Sequence, residues 1–206
     1  MRVWLEEDPT PLVAATANDL ERCLEDPEFA AATARLEGVV SVKAAEVPES
    51  VTLSIAAEQV SLIHGVAEDA DLRITIGPEP AERAIEGRDE HPELAGWLEQ
   101  LLDPSQPPWP DAAARFWSVL SAMPGAPGGL RVVDLDTAEE RRFGSDDGST
   151  YEIHGSADGL VAVLSGRAPL IDAAYERTVF IRGSFPQLSV LTGAGFEIRY
   201  GRGRHG

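Results

Sequence analysis

Apolar residues change period several times along this chain, and each change marks an element. Between residues 11 and 36, Leu20, Cys23 and Leu24 recur at helical spacing amid abundant alanine, which predicts helix. Asp26-Pro27 interrupts the pattern. An aspartate that can cap, followed by proline at the first helical position, restarts a helix through Phe29 and Leu36, which Gly38 is expected to close. From Val39 the period falls to two. Val51, Leu53 and Ile55 alternate with Thr52 and Ser54, the pattern of a strand with one buried face. Val60, Leu62 and His64 continue it, and Leu72 to Ile76 alternate until Gly77-Pro78 breaks the run. Residues 80–86 read as a short helix with Ala81, Ala84 and Ile85 on one face, ended by Gly87. His91-Pro92 opens another, through Leu94, Trp97, Leu98 and Leu101.

Four prolines then fall within nine positions, at 104, 107, 108 and 110. Proline fixes φ and lacks an N–H, so regular structure is not expected to cross this stretch. It divides the chain into an N-terminal domain (1–103), a linker (104–110) and a C-terminal domain (111–206). Asp111 is placed to cap a helix carrying Ala114, Phe116, Trp117 and Leu120, ended by Pro124 and the Gly-rich residues 125–129. Strands are expected from Leu130 to Leu135 and from Thr150 to His154. Ser156 caps a helix with Leu160, Val161, Val163 and Leu164, which Gly166-Arg167 ends. Residues 169–175 form a further short helix and Val179 to Arg182 a strand. Phe185 to Leu191 form a last helix stopped at Gly193, Phe196 to Tyr200 a closing strand, and the tail after Gly201 is frayed.

Composition narrows the function classes. The 206 residues are 43% hydrophobic but only 6% aromatic, so the core is aliphatic. With 35 acidic against 17 basic residues the formal charge is −18, which argues against nucleic acid and anionic membrane as partners. Cys23 is alone, and apart from Arg22 its neighbours in the sequence are acidic or apolar, so no electropositive setting that would activate it is expected. No apolar run is long enough to span a bilayer, and the N-terminal residues are acidic where a signal peptide is apolar, so the expected location is the cytoplasm.

The second half repeats the grammar of the first. Residues 71–77, a short helix and Glu86-Gly87-Arg88 align with residues 149–155, a short helix and Ser165-Gly166-Arg167. The run YEIHGSADGLVAVLSGRAPL (151–170) resembles the strand, small turn, Leu-rich helix and "Leu-x-Gly-Arg" of the sterol carrier protein type 2 family. AAYERTVFIRG (173–183) resembles its later "x-Gly-x-Leu-x-Ile-x-Gly" segment, with Glu176-Arg177 where the family has glycine. Val51 to Ile55, Val60 to His64 and DADLRIT (69–75) resemble its central strands. After Arg88 the first half departs: acidic residues and a helix stand where a strand ending in glycine belongs. The resemblance implies an α+β fold of two tandem sterol-carrier-like halves, each a small mixed sheet with helices on one face. It also implies a non-enzymatic carrier for a fatty acid, acyl-CoA or sterol-like lipid, with no cofactor.

The apolar set Leu160, Val163, Leu164, Leu170, Tyr175, Phe180, Phe185 and Leu188 is either ordinary core or the lining of a lipid-sized pocket in the C-terminal half; Arg167 or Arg182 would meet an acidic head group. His64, His91, His154 and His205 form no metal pair. Asp134, Asp136, Glu139 and Glu140 read as a solvated acidic loop, and residues 145–148 as a turn. Three readings stay open: an apolar-ligand carrier; a structural or regulatory module with filled cores that binds a protein partner or forms a homo-oligomer; and, more weakly, an enzyme using His154 or His64.

Overall fold

A computed structural model describes residues 1–77, 85–145 and 150–201. The chain forms two compact units, Met1–Ser105 and Gln106–Gly206, each with its own hydrophobic core. The fold is α+β.

Unit 1 runs β1 (Arg2–Leu5), α1 (Pro11–Leu24), α2 (Pro27–Thr33), β2 (Gly38–Ala44), β3 (Ser50–Ala56), β4 (Gln59–His64), β5 (Leu72–Ile76), β6 (Ile85–Glu86) and α3 (Pro92–Leu102). Its mixed sheet has the order β1-β4-β3-β2-β5-β6. β2, β3 and β4 are antiparallel neighbours, while β2–β5 and β1–β4 are parallel. The expected break between α1 and α2 is present, and Asp26 accepts a hydrogen bond from the Glu28 N–H at 2.8 Å. Val40, Val42, Leu53, Leu62 and Leu72 bury one sheet face against Val13 and Leu20 of α1 and Leu94 and Leu98 of α3. Inside this core the Trp97 indole N–H donates to Thr33 Oγ1 at 2.9 Å, Thr33 donates to the Phe29 carbonyl at 2.7 Å, and the Phe29 and Trp97 rings stack at 5.8 Å. On the opposite face two hydroxyls are buried. Ser41 and Thr52 lie 3.1 Å apart, Thr52 donates to the Gly65 carbonyl, and the Ala67 N–H donates to Ser41.

Unit 2 runs α4 (Trp109–Leu120), β7 (Gly129–Asp134), β8 (Glu140–Gly144), β9 (Thr150–Gly155), α5 (Ala157–Leu164), α6 (Leu170–Tyr175), β10 (Val179–Arg182) and α7 (Phe185–Tyr200). Its sheet has the order β10-β9-β7-β8, with β7–β9 parallel and both outer pairs antiparallel. Four strands of unit 1 repeat this arrangement. β6-β5-β2-β3 has the same order and the same directions, and β1 and β4 extend that sheet beyond β3. Helices precede the first of these strands and follow the last in both units.

Several expectations are corrected. Gly38 opens β2 instead of closing a helix, and Ile85 lies in β6; the rest of the short helix expected over 80–86 falls outside the described residues, as do His205, the tail after Gly201 and most of the turn at 145–148. The Pro-rich stretch runs directly into α4, which starts at Trp109 with Pro110 in its first turn, so Asp111 is not the cap. The closing strand of the first half survives as two residues of β6 paired to β5. The repeat therefore aligns β5 with β9, as expected, but Gly87 follows a strand whereas Gly166 follows α5. The acidic loop continues into β8. The last helix and closing strand are one helix: Leu191, Ala194 and Ile198 bury a continuous stripe through Gly193 and Gly195, and that burial outweighs the roughly 1 kcal/mol by which each glycine disfavours helix.

Candidate functional site

The candidate site is a cleft among the helices of unit 2. α5 begins where Ser156 Oγ accepts from the Gly159 N–H at 3.3 Å and ends at Gly166, whose φ is +73°. A side chain at 166 would meet the Gly195 carbonyl of α7. Glycine is thus required twice here, by conformation and by approach. The turn carries Arg167, Ala168 and Pro169 over to α6. Between this turn, α4 and the second half of α7 lies a small cleft of about 40 Å³. Phe116, Val163, Leu170, Leu191, Phe196 and Tyr200 supply its apolar walls, with Arg167 and Thr192 as its polar members. Phe196 and Tyr200, one turn apart on α7, stack at 5.7 Å. Where a Cβ at Gly195 would stand there is open space.

The eight residues expected to line a pocket divide three ways. Val163 and Leu170 meet at this cleft. Leu160 and Leu164 lie in the filled core with Leu130, Tyr151 and Ile153, and Leu188 packs at its margin. Tyr175, Phe180 and Phe185 are 90%, 55% and 86% exposed. The space directly between sheet and helices is occupied by side chains; the cleft opens among the helices instead. Phe196 and Tyr200 are not legible as site residues in the sequence, where the alternation from Phe196 to Tyr200 predicts a strand. Their spacing of four, on a helix, was the available signal.

Two other clefts lie within single units. One of about 740 Å³ runs between Pro107, Pro108, Trp109 and Pro110 and the Val161 side of α5, and it shares Arg167 and Ala168 with the first. The Arg141 guanidinium lies 6.0 Å from the centre of the Trp109 ring. The other, about 290 Å³, lies in unit 1 over Cys23 and Phe29. Burial, reinforced by Asp19, pushes the Cys23 thiol up to about 11, so it is no nucleophile at neutral pH.

His64 and His154 lie apart from one another and from these clefts. His64 is exposed at the end of β4. His154, on the sheet face away from the helices, lies 3.0 Å from Glu152. Its hydrogen bond to Glu152, with Arg131 and Arg182 close by, holds that carboxyl below its usual range. Arg131 likewise holds Glu140 low. Neither histidine lines any of the three clefts. Among the described residues no group of three His, Cys, Asp or Glu side chains is placed to hold a metal ion, and no helix is long and apolar enough to cross a membrane.

Charge is divided as unevenly as chemistry. Unit 1 carries 23 acidic and 7 basic residues, unit 2 only 12 and 10.

No protein-family model matches the chain, and no curated protein matches it. Among solved structures it is similar to one described as "UbiJ-SCP2 Ubiquinone synthesis protein", at 13% identity over 94% of this chain and 96% of that chain, with a TM-score of 0.25.

Proposed function

We propose that the protein is a non-enzymatic carrier whose second unit holds the apolar part of a ligand, a fatty acid, acyl-CoA or sterol-like lipid, in the cleft between α4, α5, α6 and α7. The cleft itself carries this reading. It is concave and lined mainly by apolar groups, its few polar members sit beside the apolar walls, and at Arg167 and Ala168 it adjoins a wider cleft of about 740 Å³, which falls in the roughly 300–1,000 Å³ range of small-molecule sites. Arg167, on the turn shared by two clefts, is the group that meets a carboxylate or phosphate. The resemblance of residues 151–170 and 173–183 to sterol carrier proteins supports the same ligand class. The repeated strand order of the two units supports a reading of the chain as two divergent tandem copies of that fold, with the cleft in the second. Val163 and Leu170 remain ligand contacts in this reading; Leu160, Leu164 and Leu188 shape the walls from behind.

Native mass spectrometry of the recombinant protein, followed by thermal unfolding with a panel of fatty acids, tests it. Co-purified lipid, or a fatty acid that raises the melting temperature of unit 2, is the expected result. An empty protein that no member of the panel stabilises would refute it.

A further inference from the structure

The sheet of unit 2 ends in two unlike edges. At β8 the chain presents Glu139, Glu140, Arg141 and Arg142 in succession, the charged blunting that keeps an edge strand from pairing. β10 carries a single charge, Arg182. Tyr175 and Phe185 bracket it in the chain at 90% and 86% exposure, and Phe180 stands 55% exposed on the sheet face opposite the buried Val179. Among the described residues β9 is its only partner in the sheet.

We propose that β10 is the interface of a symmetric dimer, in which a second copy of this chain continues the sheet of unit 2 by antiparallel pairing of β10 with β10. Three observations commit the edge to a second copy. The first is charge. Residues 178–185 carry one charge, Arg182, so two copies of this edge meet without the rows of like charge that β8 would bring. The second is register. Residues directly opposite in a two-fold antiparallel pair share a face, so the axis passes at Phe180 or at Ile181. Arg182 then faces Thr178 or Phe180 of the second copy, never its own mate. The third is area. Aromatic side chains bury roughly 150–250 Å² each, so these three offer about 350–600 Å² per copy at the stated exposures. That is more than a third of the roughly 800 Å² per partner of a stable interface, before the strand itself is counted.

The dimer uses the sheet edge and not the cleft, so it stands or falls separately from ligand binding. Sedimentation of the full chain at about 100 µM, well above a ~1 µM dissociation constant, is expected to give twice the 22.1 kDa chain mass. Phe180→Lys with Phe185→Glu is expected to return the mass to 22.1 kDa with unchanged far-UV circular dichroism. Tyr175→Glu, at a residue 90% exposed, gives the same loss if the double variant misfolds. Ile63→Lys, at an exposed apolar position of unit 1, leaves the dimer intact. A wild-type chain that sediments as a monomer, a folded Phe180→Lys, Phe185→Glu variant that stays dimeric, or dissociation by Ile63→Lys would overturn the proposal.

Discussion

Gly195 offers the sharpest separation of fold from function, because one position lets the two move in opposite directions. It lies inside α7, five residues before the helix ends, and lines the cleft where a Cβ would meet nothing within 4 Å. Glycine in a helix interior is about 0.8–1.0 kcal/mol less favourable than alanine. Gly195→Ala should therefore stabilise unit 2 by about 1 kcal/mol, which for a unit of this size raises the melting temperature by roughly 4–8 °C. Gly195→Leu keeps most of that gain, since leucine is nearly as good a helix former, and its side chain extends into the cleft. Stability should stay at or above wild type while fatty-acid affinity falls at least tenfold, about 1.4 kcal/mol. Gly96→Ala in α3 of unit 1, where a Cβ also meets open space, is the control: it should gain similar stability and leave binding unchanged. Differential scanning calorimetry and a fluorescent fatty-acid displacement assay read the two properties. A destabilised Gly195→Ala would mean that the space beside α7 is not open. A Gly195→Leu protein that binds as wild type would mean that the ligand lies elsewhere.

Trp97→Phe keeps the stacked ring but leaves the buried Thr33 hydroxyl without its indole donor, and urea titration should show unit 1 weakened by about 1–3 kcal/mol. Gly183→Ala would drive a methyl into the ring of Tyr151, which is fully buried, and should cost unit 2 at least the roughly 1–3 kcal/mol of core overpacking in a thermal melt. The Cys23 thiol should react with a disulfide reagent in urea but scarcely at all in the native protein at pH 8. Because folding raises its pKa from 9.0 to about 11, the folded state holds the proton longer. Its contribution is unchanged below pH 9, and stability falls as pH rises through 9 to 11; Cys23→Ala should flatten that slope.

Elements whose causes are local were legible in the sequence. The break at Asp26-Pro27 follows from a cap and a proline within two residues, and β3, β4 and β5 follow from alternation that one buried face imposes. β1 and β8 were not legible. β1 is four residues long and pairs in parallel with a strand more than fifty residues away. β8 has the polar composition of a loop because it is an edge. α7 was misread because Gly193 and Gly195 lower local propensity, and only the packing of Leu191, Ala194 and Ile198 restores the helix. The apolar character of the site was visible, but its location was not. A filled core and a hollow one differ by ångströms of side-chain placement: Leu160 and Val163 share a helix and a burial class, yet only Val163 reaches the cleft.

Parallel pairing near the centre of each sheet sets the order in which a unit can assemble. The antiparallel neighbours β7 and β8 are joined by five residues and can close within microseconds. β9 must instead align along β7 with Thr150 beside Gly129, twenty-one residues away, and β10 can dock only after α5 and α6 have crossed back. β2 and β5 impose the same sequence of events in unit 1. Until the last strand arrives, the edge of β9 stands open, with its Tyr151 and Ile153 not yet enclosed. Slow formation of such non-local contacts is where a chain of this topology is most exposed to misassembly.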